Sequence, residues 1–228
     1  MIAVIIYGPP GSGKGTQAQL LAEKFDLIHL DSGRYLREIL YNPKFKKNKI
    51  IQRERKINEA GKLNTPSWVL KIIGERVEKI GKLNKGIVFS GSPRTLYETV
   101  SVQKRKGIIE LLEKIYKKKN IFIFKINVSE EQTIKRNGNR LVCSVCRNPV
   151  LGQKSIIGCK LSKCPLCGSK LEHRFDDKKE VISIRLKEYR ERTLPIILFL
   201  KKRGYKIAEI DGSPLPYKIH NNILTKLK

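Results

Sequence analysis

Apolar positions along this chain follow two rhythms. Short, nearly continuous apolar runs rich in β-branched residues occupy 2–7, 27–30, 86–90, 121–128 and 206–210. Strands buried on both faces read this way, because neither side of the pleat meets water. Longer stretches such as 16–25, 67–80 and 180–203 lie between or after them and read as helices. Strand–helix alternation predicts a parallel sheet with helices on both faces, whose ligands sit at the carboxyl ends of the strands. Two stretches break the rhythm. Residues 32–74 are helical and basic with no strong strand, and residues 137–174 hold all five cysteines together with Gly152, Gly158 and Gly168. Both are expected to be lobes inserted into a core domain made of residues 1–31, 75–136 and 175–228.

A chain of 228 residues is long enough for one sizeable domain with a real core. No apolar run is long enough to span a membrane. The run at 2–7 has neither a basic segment before it nor a small-residue cleavage site after it. A cytoplasmic protein is therefore expected. Charge is lopsided: 48 Lys+Arg face 21 Asp+Glu, for a net charge of +27. Such a field attracts polyanions, nucleotide phosphates and nucleic acid alike. Lysine is nevertheless spread along the whole chain, as in Lys117-Lys118-Lys119, which reads as composition expressed on solvated faces.

The first strand runs directly into Gly8-Pro9-Pro10-Gly11-Ser12-Gly13-Lys14-Gly15-Thr16, and a helix follows. Glycines let successive backbone N–H groups curl inward around a phosphate, and the helix N-terminus adds its positive end. Lys14 supplies a mobile point charge for the β- and γ-phosphate oxygens. The cysteines form Cys143-x2-Cys146 and, 17 residues later, Cys164-x2-Cys167. Two such knuckles have the spacing of a tetrahedral four-thiolate zinc site. Four thiolates leave no open position, so the zinc is expected to staple a lobe too small to bury a core of its own. Cys159 is left over as a spectator. A zinc ribbon in a basic protein also suits nucleic acid. Single-strand readers interleave aromatics with basic residues, and no Phe, Tyr or Trp lies between Cys143 and Cys167, so no specific nucleic-acid partner is expected.

The run from Gly8 to Gln17 resembles the first motif of adenylate kinases and related nucleoside monophosphate kinases. The resemblance continues in order through Asp31-Ser32-Gly33-Arg34-Tyr35-Leu36-Arg37, Gly61-Lys62-Leu63, Gly91-Ser92-Pro93-Arg94-Thr95, Arg136, Arg140, the cysteine pairs, Arg174-Phe175-Asp176-Asp177, Arg185 and Ile210-Asp211-Gly212. It implies a P-loop NTPase three-layer α/β sandwich with a five-stranded parallel sheet, a monophosphate-binding lobe and a zinc-bearing lid. It also implies reversible, magnesium-dependent phosphoryl transfer from ATP to AMP by a monomer. Carried over residue by residue, Lys14, Arg94, Arg136, Arg140, Arg174 and Arg185 are the catalytic group. Gly11, Ser12, Gly13, Lys14, Gly15, Thr16, Arg136 and Ser213 hold ATP. Ser32, Arg37, Leu63, Gly91, Arg94, Glu98, Arg174 and Arg185 hold the acceptor, and Cys143, Cys146, Cys164 and Cys167 hold zinc.

The chain also departs from the pattern of that family. Ser90 stands where the family has an aspartate that organises water around magnesium, and Ser92 replaces an aromatic. Arg34 takes a usually acidic position, Leu141 stands in place of a second arginine, and Val150-Leu151 replaces a Tyr-His pair. Glu98 occupies the place of a glutamine that reads the acceptor adenine. A carboxylate only accepts hydrogen bonds, which suits the adjacent N–H donors of guanine. Acceptor choice is thus expected to move toward GMP or a broader set. A second reading, a nucleotide-binding relative with weak activity, is opposed by the survival of all six cationic positions.

Overall fold

The computed structural model describes residues 1–100, 106–146, 149–150, 161–173 and 177–227. Its centre is a parallel sheet of five strands in the order β2 (Leu27–Leu30), β3 (Gly86–Phe89), β1 (Ala3–Tyr7), β4 (Ile121–Asn127), β8 (Ile207–Asp211). β1 is buried along its whole length, and the pleat divides its side chains between two cores. Ala3, Ile5 and Tyr7 face one layer, whereas Val4 and Ile6 face the other.

The first layer packs against α4 (Pro66–Lys82), α6 (Ile108–Tyr116) and α9 (Leu194–Lys202). The second packs against α1 (Lys14–Phe25) and α10 (Pro216–Thr225). The strand–helix rhythm of the sequence therefore yields the expected three-layer α/β sandwich. β1 and β3 are neighbours, with Ile5 opposite Phe89. The helix after β1 lies on one face and α6, which comes after β3, on the other. That divergence opens a crevice at the carboxyl ends of these two strands.

Between β2 and β3 come α2 (Ser32–Leu40), α3 (Lys49–Glu59) and α4. Asp31 caps α2 by accepting from the Arg34 N–H, and Asn48 caps α3 through Ile50 and Ile51. Residue 74, the expected end of the first inserted lobe, lies inside α4 rather than at a boundary. Glu54 of α3 is fully buried. It accepts from the Thr65 N–H at 2.8 Å, the Thr65 hydroxyl at 2.6 Å and the Asn64 amide at 3.1 Å. This carboxylate pins the loop that leads into α4.

After β4, α7 (Glu130–Gly138) leads to a small antiparallel sheet of β5 (Leu141–Cys143), β6 (Pro149–Val150) and β7 (Leu171–His173), with β5 in the middle. The stretch 180–203, read as one helix, is divided. α8 (Lys179–Glu188) passes through a π-helical turn, Tyr189–Thr193, into α9. Pro195 has no N–H and its ring crowds the carbonyl four residues back, so the helical ladder widens ahead of it. No helix among the described residues is long and apolar enough to cross a membrane.

Candidate active site

The loop after β1 turns on glycines in left-handed conformations, φ 76° at Gly11 and 88° at Gly13. At Gly11 a Cβ would also come within 2.6 Å of the Asn137 amide nitrogen. Cβ atoms on Gly13 and Gly15 would meet no protein atom within 4 Å. That empty space, rimmed by the first N–H groups of α1, is an anion cradle. The Lys14 ammonium folds over it, donating to the Pro9 carbonyl at 2.7 Å and touching the Ser12 hydroxyl at 3.4 Å.

The cradle opens into a cavity of about 1190 Å³. It takes in the whole expected ATP set: Gly11, Ser12, Gly13, Lys14, Gly15, Thr16, Arg136 and Ser213. Ser32, Arg37, Leu63, Gly91, Arg94 and Glu98 line it as well, with Arg140 and Arg185. Arg174 lies outside the described residues, as do Cys159 and Leu151. Residues up to 202 positions apart, Gly11 and Ser213, thus converge on one cleft at the carboxyl edge of the sheet.

Its electrostatics are those of an anion site. The ammonium of Lys14 is pushed well below the ordinary lysine range, first by burial and then by the charges of Arg94, Arg185 and Arg140. Asp177, itself buried, accepts from Arg140 Nε at 2.8 Å and from Arg185 at 3.3 Å, and also meets the Arg140 terminal nitrogen. One carboxylate thereby aims two guanidinium groups without neutralising the cluster. Arg136 donates to the carbonyls of Gly212 at 2.8 Å and Ser213 at 3.1 Å, so the loop after β8 holds its plane beside the cradle. Arg94 donates from Nε to the Gly91 carbonyl, and its own carbonyl accepts from the Thr193 hydroxyl at 3.0 Å.

Glu98 is buried. It accepts from the Arg94 N–H and from the Thr95 hydroxyl, both at 2.9 Å. Burial pushes its carboxyl above the usual range, against those two hydrogen bonds. The Tyr7 hydroxyl is buried among the cavity residues without a hydrogen-bond partner. Burial, and next the charge of Glu98, raise its pKa. Tyr7, Asp177 and Glu188, which accepts from the Leu63 N–H at 3.2 Å, are site residues that sequence reading missed. Asp177 is visible only as the last residue of the Arg174–Asp177 motif, and the other two carry no local signal.

The cysteine pairs meet as their spacing predicts. The four Sγ atoms lie within 4.8 Å of one another, with Cys143–Cys167 at 3.3 Å and Cys146–Cys164 at 3.7 Å. A tetrahedral thiolate cage with metal–sulfur bonds of ~2.3 Å has edges of ~3.8 Å, so the donor set fits a thiophilic metal. Hydrogen bonds from the Ser169 side chain and backbone push Cys167 down to about 6. Gly168 makes the second knuckle at φ 71°.

The cleft combines a phosphate cradle, several cations and a buried polar recess around Glu98. That combination goes beyond what a P-loop hydrolase, which presents water to a single triphosphate, requires, and its class is that of the nucleoside monophosphate kinases. A family model described as adenylate kinase matches residues 6–205. Adenylate kinase of Methanothrix thermoacetophila is 34% identical over 212 residues, covering 92% of this chain and 91% of the relative. Those of Petrotoga mobilis and Borreliella burgdorferi are each 32% identical, over 92% and 93% of this chain and 90% and 92% of their own lengths. The chain belongs to the adenylate kinase family.

Proposed function

We propose that the chain transfers the γ-phosphoryl group of ATP reversibly to AMP, giving two ADP. The convergence of Lys14, Arg94, Arg140 and Arg185 on one cavity carries this reading. In the transfer an AMP phosphate oxygen bonds to the γ-phosphorus as the bond to the β,γ-bridging oxygen breaks. The AMP phosphate is already an anion, so no general base is required. The protein must hold two phosphates in line, neutralise them and exclude water. Lys14 and the cradle hold the donor, with Arg136 and Ser213 at its base. Arg37 and Arg94 grip the acceptor phosphate, while Ser32, Leu63, Gly91 and Glu98 frame its nucleoside. Arg140, Arg174 and Arg185 gather on the moving group. Guanidinium forks suit this task because they meet phosphate oxygens in pairs. Residues 32–74 and 137–174 act as two lobes that close over the core domain and expel water, which ties turnover to lid motion.

The cavity also offers oxygen donors that suit magnesium. Thr16, Ser90 and Asp31 line the cavity, and hydroxyl and carboxylate oxygens suit a hard cation that keeps several waters. When bound on the nucleotide it neutralises phosphate charge. Zinc held by Cys143, Cys146, Cys164 and Cys167 is structural. The same reading makes the chain a cytoplasmic monomer whose partners are ATP and AMP.

Glu98 bears on the acceptor base. Neutral, a carboxylic acid accepts one hydrogen bond and donates another, as adenine N6 and N1 require; ionised, it only accepts. Burial raises its pKa, so the neutral form persists to higher pH than in water. Below that raised pKa the glutamate can meet AMP, and any shift toward GMP is confined to pH values above it.

Three outcomes are expected. Lys14→Ala and Arg94→Ala each lower kcat/KM by at least about a hundredfold with an unchanged circular dichroism spectrum; retention of most activity by either contradicts the assigned roles. Purified protein carries about one zinc per chain, and Cys164→Ser removes most of it and lowers Tm; full zinc content in that variant contradicts the four-thiolate site. The KM for AMP rises by about tenfold per pH unit once pH passes the raised pKa of Glu98, and Glu98→Gln flattens the profile. An AMP profile identical in wild type and Glu98→Gln excludes Glu98 from base recognition.

A further inference from the structure

Ser90 follows the last residue of β3, and its N–H donates to the Leu30 carbonyl at 3.3 Å, fixing it at the carboxyl edge of the sheet. It is 6% exposed and lines the nucleotide cavity. Its hydroxyl lies 2.7 Å from Nε2 of His29, a residue of β2 that does not itself line the cavity. Nδ1 of His29 lies 3.1 Å from the side-chain oxygen of Gln19, whose amide nitrogen donates to Glu23 at 2.8 Å.

The direction of this chain of bonds follows from donor chemistry alone. The Glu23 carboxylate accepts only, so the amine of Gln19 must face it and the Gln19 oxygen faces His29. An oxygen there requires a proton on His29 Nδ1. In the neutral ring Nε2 is then bare and accepts, so the Ser90 O–H must donate to it. Burial lowers the proton affinity of the ring, opposed by Asp31 and helped by Arg34, which favours that neutral form. With its proton committed to His29, Ser90 presents only lone pairs to the cleft.

Lone pairs directed at an anionic triphosphate repel its oxygens, so the partner met there must be a donor. Lys14 is turned to Pro9 and Ser12 instead. We propose that His29 is a positioning residue that orients the Ser90 hydroxyl as an acceptor for a water molecule carried by the nucleotide-bound divalent cation. This inference rests on the kinase reading for its ligand, but the state of His29 stands apart from it.

The test has two arms. Long-range proton–nitrogen NMR on the 15N-labelled full chain, with His29→Gln as the assignment control among its three histidines, reports which ring nitrogen carries the proton. The expected signal is a protonated Nδ1 and a bare Nε2 for His29 in the nucleotide-free protein. A protonated Nε2 overturns the proposal, however active the enzyme is. In the second arm, the magnesium concentration giving half-maximal ATP binding, read by calorimetry, rises about tenfold in Ser90→Ala and in His29→Phe. The double variant is no worse than Ser90→Ala, because both changes act through one hydroxyl, whereas His29→Gln, whose amide oxygen also accepts, stays near wild type. Additive losses in the double variant, or an unchanged magnesium requirement in Ser90→Ala, overturn the proposal. Failure of the wild type to transfer phosphoryl groups, with the predicted tautomer present, counts against the kinase reading instead.

Discussion

Like charges crowded into one cleft set the terms for the rest of this molecule. Burial, and after it the charges of Arg94, Arg185 and Arg140, depress Lys14 far below its ordinary range. A protein gains nothing in stability from such an arrangement, because each buried cation raises the cost of the next. It becomes favourable when phosphate oxygens enter, and most favourable when charge spreads over the phosphoryl group in flight. The site is therefore built for a ligand more anionic than any group it contains. Asp177 offsets part of the repulsion by accepting from both Arg140 and Arg185.

The sheet makes that crowding sustainable. β1 is sealed between two apolar layers, so the loop that follows it starts from a fixed point. β3 delivers Ser90, Gly91 and Arg94 beside it. Arg136, Arg140 and Arg185 come from segments after β4, and at the small antiparallel sheet, in β5 and the turns around it, four sulfur atoms lie at the distances of a metal cage. The phosphate cradle is thus anchored to the core, while Arg140 directly precedes the small antiparallel sheet.

Much of this is legible in the sequence, for identifiable reasons. The five strands can be read because burial on both faces leaves no polar alternation. The cradle can be read because the left-handed φ of 76° and 88° at positions 11 and 13 strongly favours glycine, and the metal cluster because its ligands come in local pairs. Reading fails where a contact depends on tertiary pairing. His29 and Ser90 are 61 residues apart, and Leu63 and Glu188 are 125 apart; neither pair has a period or spacing to reveal it. Tyr7 reads as one more apolar strand residue, and its unpartnered hydroxyl emerges only when the cavity is assembled. The helix of 180–203 was legible as helix, but the π-turn ahead of Pro195 was not, since a proline within an apolar helical pattern permits a kink, a break or a widened turn alike.

The fate of the transferred group is the most direct measure of what this cleft does. Phosphorus-31 NMR of the purified chain with magnesium, ATP and AMP follows every phosphate at once. The cleft described here predicts that ATP and AMP disappear in equal amounts, that ADP appears at twice that rate, and that the reaction stops at a near-balanced equilibrium without inorganic phosphate. Steady accumulation of inorganic phosphate, or ATP persisting unchanged beside AMP, would contradict it.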